Sequence, residues 1–206
     1  MMNGILHQTL ASPTGKLAGI NSVNGSSFNK ICNKLALQEG TTCSNCYAKR
    51  YQRIYKALGL HLEHNTSILT TETIKRRDLP VFHDNETIRF NSYGNIYNSQ
   101  QMLNYRNICL KNKNTQFALW FKNVPAVASV LEQYGKPSNL ILIYSVMSVD
   151  PTSIRIPKRI KPYVDKTFAV YKKPGPNINI NCKGACKSCM ICYTKNNVNR
   201  ISEVLK

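Results

Sequence analysis

Four of the chain's eight cysteines crowd into eleven residues: Cys182, Cys186, Cys189 and Cys192, separated by three, two and two residues. Gaps this short let a looping backbone aim several sulfurs at one centre, as in the C-x2-C runs that ligate iron–sulfur clusters. Structural zinc sites more often use C-x2-C pairs split by a longer loop. The tight run therefore suits a cubane cluster better than a single zinc ion. A second group, Cys32, Cys43 and Cys46, offers only three thiols, with a ten-residue first gap. Three readings are open for it. A fourth ligand from His61, His64 or His83 closes a zinc site; or three thiolates hold a [4Fe-4S] cluster and leave one iron open; or the two cysteine groups meet and share ligands. Cys109 falls alone on an apolar helix face and reads as a small buried hydrophobe. His7 has no evident partner.

Charge sets the next expectation. The 206 residues carry 28 Lys and Arg against 10 Asp and Glu, a net charge of +18. Biased base composition accounts for abundant Lys, Ile and Asn, but not for so few acids. The excess points first to nucleic acid as partner. No acid occurs between Asp165 and Glu203. No apolar run approaches the roughly 18 residues of a membrane span, and residues 1–13 lack the basic and apolar regions of a signal peptide. A cytoplasmic location follows as the expectation, the host cytoplasm if the chain is phage-encoded. Cysteines there are thiols or metal ligands rather than disulfides.

The elements that must position these groups alternate. Apolar runs predict strands at 16–23, 86–92, 115–122, 139–145 and Lys166–Tyr171, and helical periodicity predicts helices at 45–58, 99–112 and 125–135. Gly59 reads as the stop of the first helix and Ser99 as the cap of the second. In the first helix Tyr47, Tyr51, Ile54, Tyr55 and Leu58 form the buried stripe, while Lys49, Arg50, Arg53 and Lys56 face a partner. A proline-rich connector, 151–162, exposes Arg155, Lys158, Arg159 and Lys161. The fold expected is α/β: a partial, mostly parallel, barrel-like or open sheet of four to five strands, with cysteine-rich metal-binding segments at both ends. It forms one domain over 1–206, an α/β core at 16–175 followed by a basic cysteine-rich segment at 176–206. Ser92, Tyr93, Asn95, Lys122 and Tyr144 fall at strand C-terminal ends, where sites of α/β sheets collect.

Particular residues carry a resemblance. Cys43-Ser44-Asn45-Cys46-Tyr47-Ala48, the strand end Phe90 to Gly94, Phe117 to Trp120 followed by Lys122, and Cys182 to Tyr193 together resemble the phage gene product 88 domain family over about 16–195. More weakly, Cys32, Cys43 and Cys46, after a first strand and before a helix, resemble radical SAM proteins. That likeness implies a [4Fe-4S] cluster on three cysteines, S-adenosylmethionine on the open iron, and Ser92, Tyr93 and Gly94 as cofactor-binding residues, with Gly94 near the cofactor's amino group. The family's usual first gap is three residues and its aromatic precedes the last cysteine; here the gap is ten and Tyr47 follows. The common spacing recurs at Cys182, Cys186 and Cys189, where Cys192 can supply a fourth ligand. The expectations are an iron–sulfur enzyme acting on nucleic acid or nucleotides, or a non-enzymatic nucleic-acid-binding protein with structural zinc or iron–sulfur sites. A phage protein that engages a host protein is a third class.

Overall fold

Six parallel strands cross one open sheet in the order of the sequence. The computed structural model describes residues 5–10 and 14–205, the side chains of residues 9 and 10 excepted, so the stretch 1–13 lies partly outside the described residues. The parallel strands are β2 (Asn21–Val23), β3 (Thr87–Phe90), β4 (Gln116–Phe121), β5 (Leu140–Val149), β6 (Lys166–Tyr171) and β7 (Arg200–Val204). A seventh strand, β1 (Gln8–Leu10), pairs antiparallel with β2 at the edge. The helices are α1 (Lys30–Ala36), α2 (Tyr47–Ile54), α3 (Lys56–Thr71), α4 (Ser99–Lys111), α5 (Val124–Tyr134) and α6 (Cys186–Cys189).

The order has a physical consequence. Parallel crossovers share one hand. With each strand added on the same side, the crossovers between β2 and β6 fall on one face, whereas the β6–β7 connection, which holds α6, runs over the other. Side chains of β4 alternate accordingly. Phe117, Leu119 and Phe121 join the large core with Leu69 of α3, Met102, Tyr105 and Ile108 of α4 and Val127 and Leu131 of α5, whereas Ala118 and Trp120 point to the other face. Phe90 stacks on Tyr105 and Phe117, with ring centroids 4.2 and 5.0 Å apart. Cys109 is fully buried in this core.

Helices α3, α4 and α5 leave the inner face uncovered, where Ala118, Trp120, Ile141, Ile143 and Ile201 lie. The cysteine-rich segment covers it, through Cys186, Tyr193, Met190 and Ile191. The sheet thus has six parallel strands plus β1, not four to five, because the basic segment after residue 176 hides a strand: Arg200, Glu203 and the residues between read as tail, yet pair with β6.

Other local expectations change too. Only 21–23 of the first predicted strand is extended, since Gly15–Leu17 form a 3-10 turn and Lys16 pairs with Glu203 of β7 at 2.5 Å. The helix at 45–58 breaks at Tyr55 (φ −101, ψ 87) and restarts to reach Thr71. Gly59 is no stop: it is buried inside α3, where a Cβ would sit 3.4 Å from the Gln52 carbonyl. Asn98, not Ser99, caps α4, accepting from the Gln101 amide at 3.0 Å. The stripe of α2 that reads as core is exposed, and Ala48 and Gln52 are its buried residues. No helix among the described residues is long and apolar enough to cross a membrane.

The chain's single Trp reports on the inner-face cover. Tyr193 is fully buried with its ring 5.6 Å from Trp120. Tyr193→Ala is expected to cost about 3–5 kcal/mol and to red-shift Trp120 emission, measured by denaturant titration and fluorescence. An unchanged emission maximum would mean that the segment does not cover the Trp.

Candidate functional site

The C-terminal ends of the strands are bridged by the loop that carries the first three cysteines. Asn24, fully buried at the end of β2, accepts from the Ser92 amide at 2.6 Å and so ties this loop to the end of β3. Gln52 of α2 holds the loop from above, accepting from the Ser27 amide and hydroxyl at 2.9 and 2.8 Å and donating to the Ser26 hydroxyl at 2.7 Å. Asn29 caps α1 by accepting from the Cys32 amide at 2.8 Å, and its own amide reaches the Cys32 sulfur at 3.4 Å.

The chain then crosses to β5. Thr41 bridges to Ser148, and the Thr42 amide donates to the Met147 carbonyl at 2.8 Å. It returns through Cys43 to Cys46, which opens α2, and the Tyr47 hydroxyl donates to the Ser92 carbonyl at 2.6 Å. The ten-residue gap therefore builds α1 and a span from β2 to β5. Burial pushes Cys32 up to about 11, partly offset by the Asn29 hydrogen bond and raised further by Cys46 and Cys43. Burial also raises Cys43, with Lys122 at the end of β4 opposing.

Ser92, Tyr93 and Gly94 lie beside this loop. Gly94 has φ +72, and an added Cβ would fall 2.8 Å from both the Gly25 and the Ser26 carbonyl oxygens. Its glycine is thus required by backbone packing against the β2 loop. Six buried side-chain polar atoms among the described residues have no hydrogen-bond partner: Thr42 Oγ1, Asn91 Nδ2, Ser92 Oγ, Asn95 Nδ2, Arg89 Nε and the Tyr193 hydroxyl. Asn91, Ser92 and Asn95 follow β3, and Thr42 precedes Cys43. Such atoms are uncommon in native interiors, where buried polar groups are completed by protein, water, a ligand or an ion.

The last two of the six belong to the second group of thiols. Cys182, Cys186, Cys189 and Cys192 line one small recess of about 20 Å³ against the inner face. Burial raises Cys186 and pushes Cys192 up to about 12, with Arg89 and Lys16 opposing in both. Arg89, on β3, is buried, and its guanidinium lies 3.8 Å from the centroid of Trp120. None of the ion pairs among the described residues gives it a carboxylate. Its electrostatic neighbours are Tyr193, Tyr47 and Cys186. The Tyr47 hydroxyl is held up by burial, against Arg89 and Lys16, while Cys46 raises it further. Tyr47 and Arg89 thus stand between the two cysteine groups, and the thiols interact within each group rather than across.

As drawn together, the thiols do not close a ligand sphere: among the described residues no three His, Cys, Asp or Glu side chains are placed to hold an ion. The donor sets nevertheless have the right chemistry, since thiolates select zinc and iron–sulfur clusters. The histidines considered as a fourth ligand lie elsewhere. His61 and His64 pack on the His7 ring, at 4.7 and 4.5 Å, and His83 precedes β3, at the N-terminal end of that strand.

Of the basic residues, Arg50 and Arg53 are exposed on α2 and Lys56 at the start of α3, and Lys49 donates to Asn33 at 2.8 Å. Arg155, Lys158 and Lys161 are exposed on the connector before β6, and Arg159 is paired in bidentate fashion with Glu132 of α5, at 2.9 and 2.6 Å. The two basic surfaces belong to different crossovers. Sequence reading missed Arg89, Trp120 and Tyr193 as site residues. The available signal was an Arg between Ile88 and Phe90 in an apolar strand.

A parallel α/β sheet with one thiol-bearing loop over its strand ends and another against its uncovered face defines a cysteine-rich α/β protein. The family model for Gene product 88 matches residues 7–195, and the chain belongs to that phage gene product family. A search of curated proteins and a search of solved structures each found no match, so the likeness to radical SAM proteins rests on the residues alone.

Gly94→Ala is expected to destabilise the protein by about 2–4 kcal/mol. Gly175→Ala, where nothing lies within 4 Å, is expected to change stability by under about 1 kcal/mol. Denaturant midpoints compare the two; equal midpoints would refute the close approach of the loops.

Proposed function

We propose that this protein carries two thiolate-held metal centres and acts as an iron–sulfur enzyme of the radical SAM type on nucleic acid or a nucleotide. Cys32, Cys43 and Cys46 would hold a [4Fe-4S] cluster, which when bound supplies one-electron chemistry and one iron free for a ligand such as S-adenosylmethionine. The observation that supports the reading is that one loop carries Cys32, Cys43 and Cys46 over the strand ends, near enough for Cys46 and Cys43 to act electrostatically on Cys32, beside the buried polar atoms Ser92 Oγ, Asn91 Nδ2 and Asn95 Nδ2. At those strand ends Asn29 orients Cys32, Tyr47 fixes the turn at Ser92, and Lys122 provides positive charge for an anionic group. The net charge of +18 draws in a polyanionic substrate.

Cys182, Cys186, Cys189 and Cys192 would form a second, structural centre. Their recess of about 20 Å³ matches a single ion better than a cubane. Four thiolates around zinc leave a charge of about −2, which offsets the buried, unpaired Arg89. The same recess supports a second reading, a non-enzymatic nucleic-acid-binding protein with structural zinc at both groups.

Anaerobic purification separates them. The enzyme reading expects a brown protein with about four iron and four sulfide per chain, lost in Cys43→Ala, and release of 5′-deoxyadenosine from S-adenosylmethionine under reduction. Zinc, about one per chain, is expected to disappear in Cys186→Ala with a red shift of Trp120 emission. A colourless protein holding only zinc overturns the enzyme reading.

A further inference from the structure

The exposed face of α2 carries a row of aromatic rings. Tyr47, Tyr51 and Tyr55 are 50, 44 and 54% exposed. Tyr51 stacks on Tyr55 with centroids 5.8 Å apart and planes at 23°, and Tyr47 meets Tyr51 at 6.4 Å. Tyr93, which is buried, lies 6.3 Å from Tyr47 at the inner end of the row. Rings at helical spacing normally bury their faces, yet here the buried side of α2 is Ala48 and Gln52, and its outer side is aromatic.

The same helix carries Lys49, Arg50 and Arg53, Lys56 opens the next helix, and no acid occurs between Glu39 and Glu63. The Arg53 guanidinium lies 6.0 Å from the ring of Phe28, which is itself 39% exposed. Against a second copy of the chain this face would set like charges together, at a cost. Against a polyanion with flat apolar faces it is complementary in both respects. Base faces are open to side-chain rings in a single strand and are closed by stacking and pairing in a duplex.

We infer that α2, with Tyr55 at its end, is a stacking platform for single-stranded nucleic acid, with Tyr51 and Tyr55 taking bases and Arg50 and Arg53 the flanking phosphates. The row begins at Tyr47, directly after Cys46, so a strand on it is led to the three-thiol edge. This last step rests on the reading of that edge as the reactive centre; the binding itself does not.

The test is fluorescence anisotropy of the full-length, metal-loaded protein with a labelled 15-nucleotide oligothymidylate and with a duplex of equal length, at ~50 and ~200 mM salt. Metal content and Trp120 emission are measured in each variant. The single strand is expected to bind at least tenfold more tightly than the duplex. Tyr51→Ala and Tyr55→Ala are each expected to weaken it about tenfold with an unchanged salt slope, and Tyr51→Phe to restore it. Arg50→Gln with Arg53→Gln is expected to lower the salt slope by roughly 1.4, at about 0.7 per phosphate contact on a single strand. Binding of duplex and single strand alike, full affinity in the tyrosine variants, or tyrosine-dependent self-association without oligonucleotide binding overturns the proposal. Loss of iron in wild type with these binding results intact would sink the metal reading and leave the platform standing.

Discussion

A sheet built by adding each parallel strand beside the last sends its right-handed crossovers over one face, as those between β2 and β6 do here. That constraint governs the rest of the molecule. The face under α3, α4 and α5 closes in the ordinary way around Phe90, Phe117 and Tyr105. The opposite face, with Trp120, Ile141 and Ile143, needs another cover, and the chain supplies one from beyond β6. This is why a segment rich in cysteine and lysine can be structural: it occupies the place that a second layer of helices fills in a doubly wound sheet.

The cover encloses charge as well as apolar surface. Arg89 sits under Tyr193 with Trp120 against its guanidinium, and Lys16 at the margin is paired with Glu203. A buried guanidinium with no carboxylate is expensive unless a compensating negative group is near. Around Arg89 the available groups are tyrosines and thiols. Arg89 and Lys16 thus lie within the fold, and their part of the net charge of +18 is not a free field for partners. Solvent-facing positive charge lies on the tyrosine-bearing helix and on the connector before β6.

Much of the architecture was legible in the sequence. The apolar runs in 115–122 and 139–145 mark strands buried on both faces, and Lys166–Tyr171 is extended as its pattern predicts. What escaped was hidden by composition or by tertiary contact. β7 carries Arg200 and Glu203, and its hydrophobic content is two residues, so its pairing with β6 decides its structure. The helix at 45–58 shows regular aromatic spacing, but hydrogen bonds from Gln52 to Ser26 and Ser27 turn the polar side inward. The three-cysteine gap looked irregular by spacing alone, because the span to Met147 and Ser148 is a contact between distant parts of the chain. Asn24, Asn104 and Asn112, unremarkable in an Asn-rich sequence, are buried brackets between loops and helix ends.

The position of the cover in the chain also sets a timetable. Tyr193 follows the end of β6 by 22 residues. At ribosomal rates of about 5–20 residues per second, that is roughly one to four seconds of synthesis. During that interval the strands through β6 can already be aligned, since their neighbours in the sheet are their neighbours in sequence, while Trp120, Ile141 and the Arg89 guanidinium face solvent. Closure waits for the thiols to arrive. A nascent chain in this state presents a sticky, cationic concavity, and anything that speeds capture of the cysteine segment shortens its exposure to aggregation.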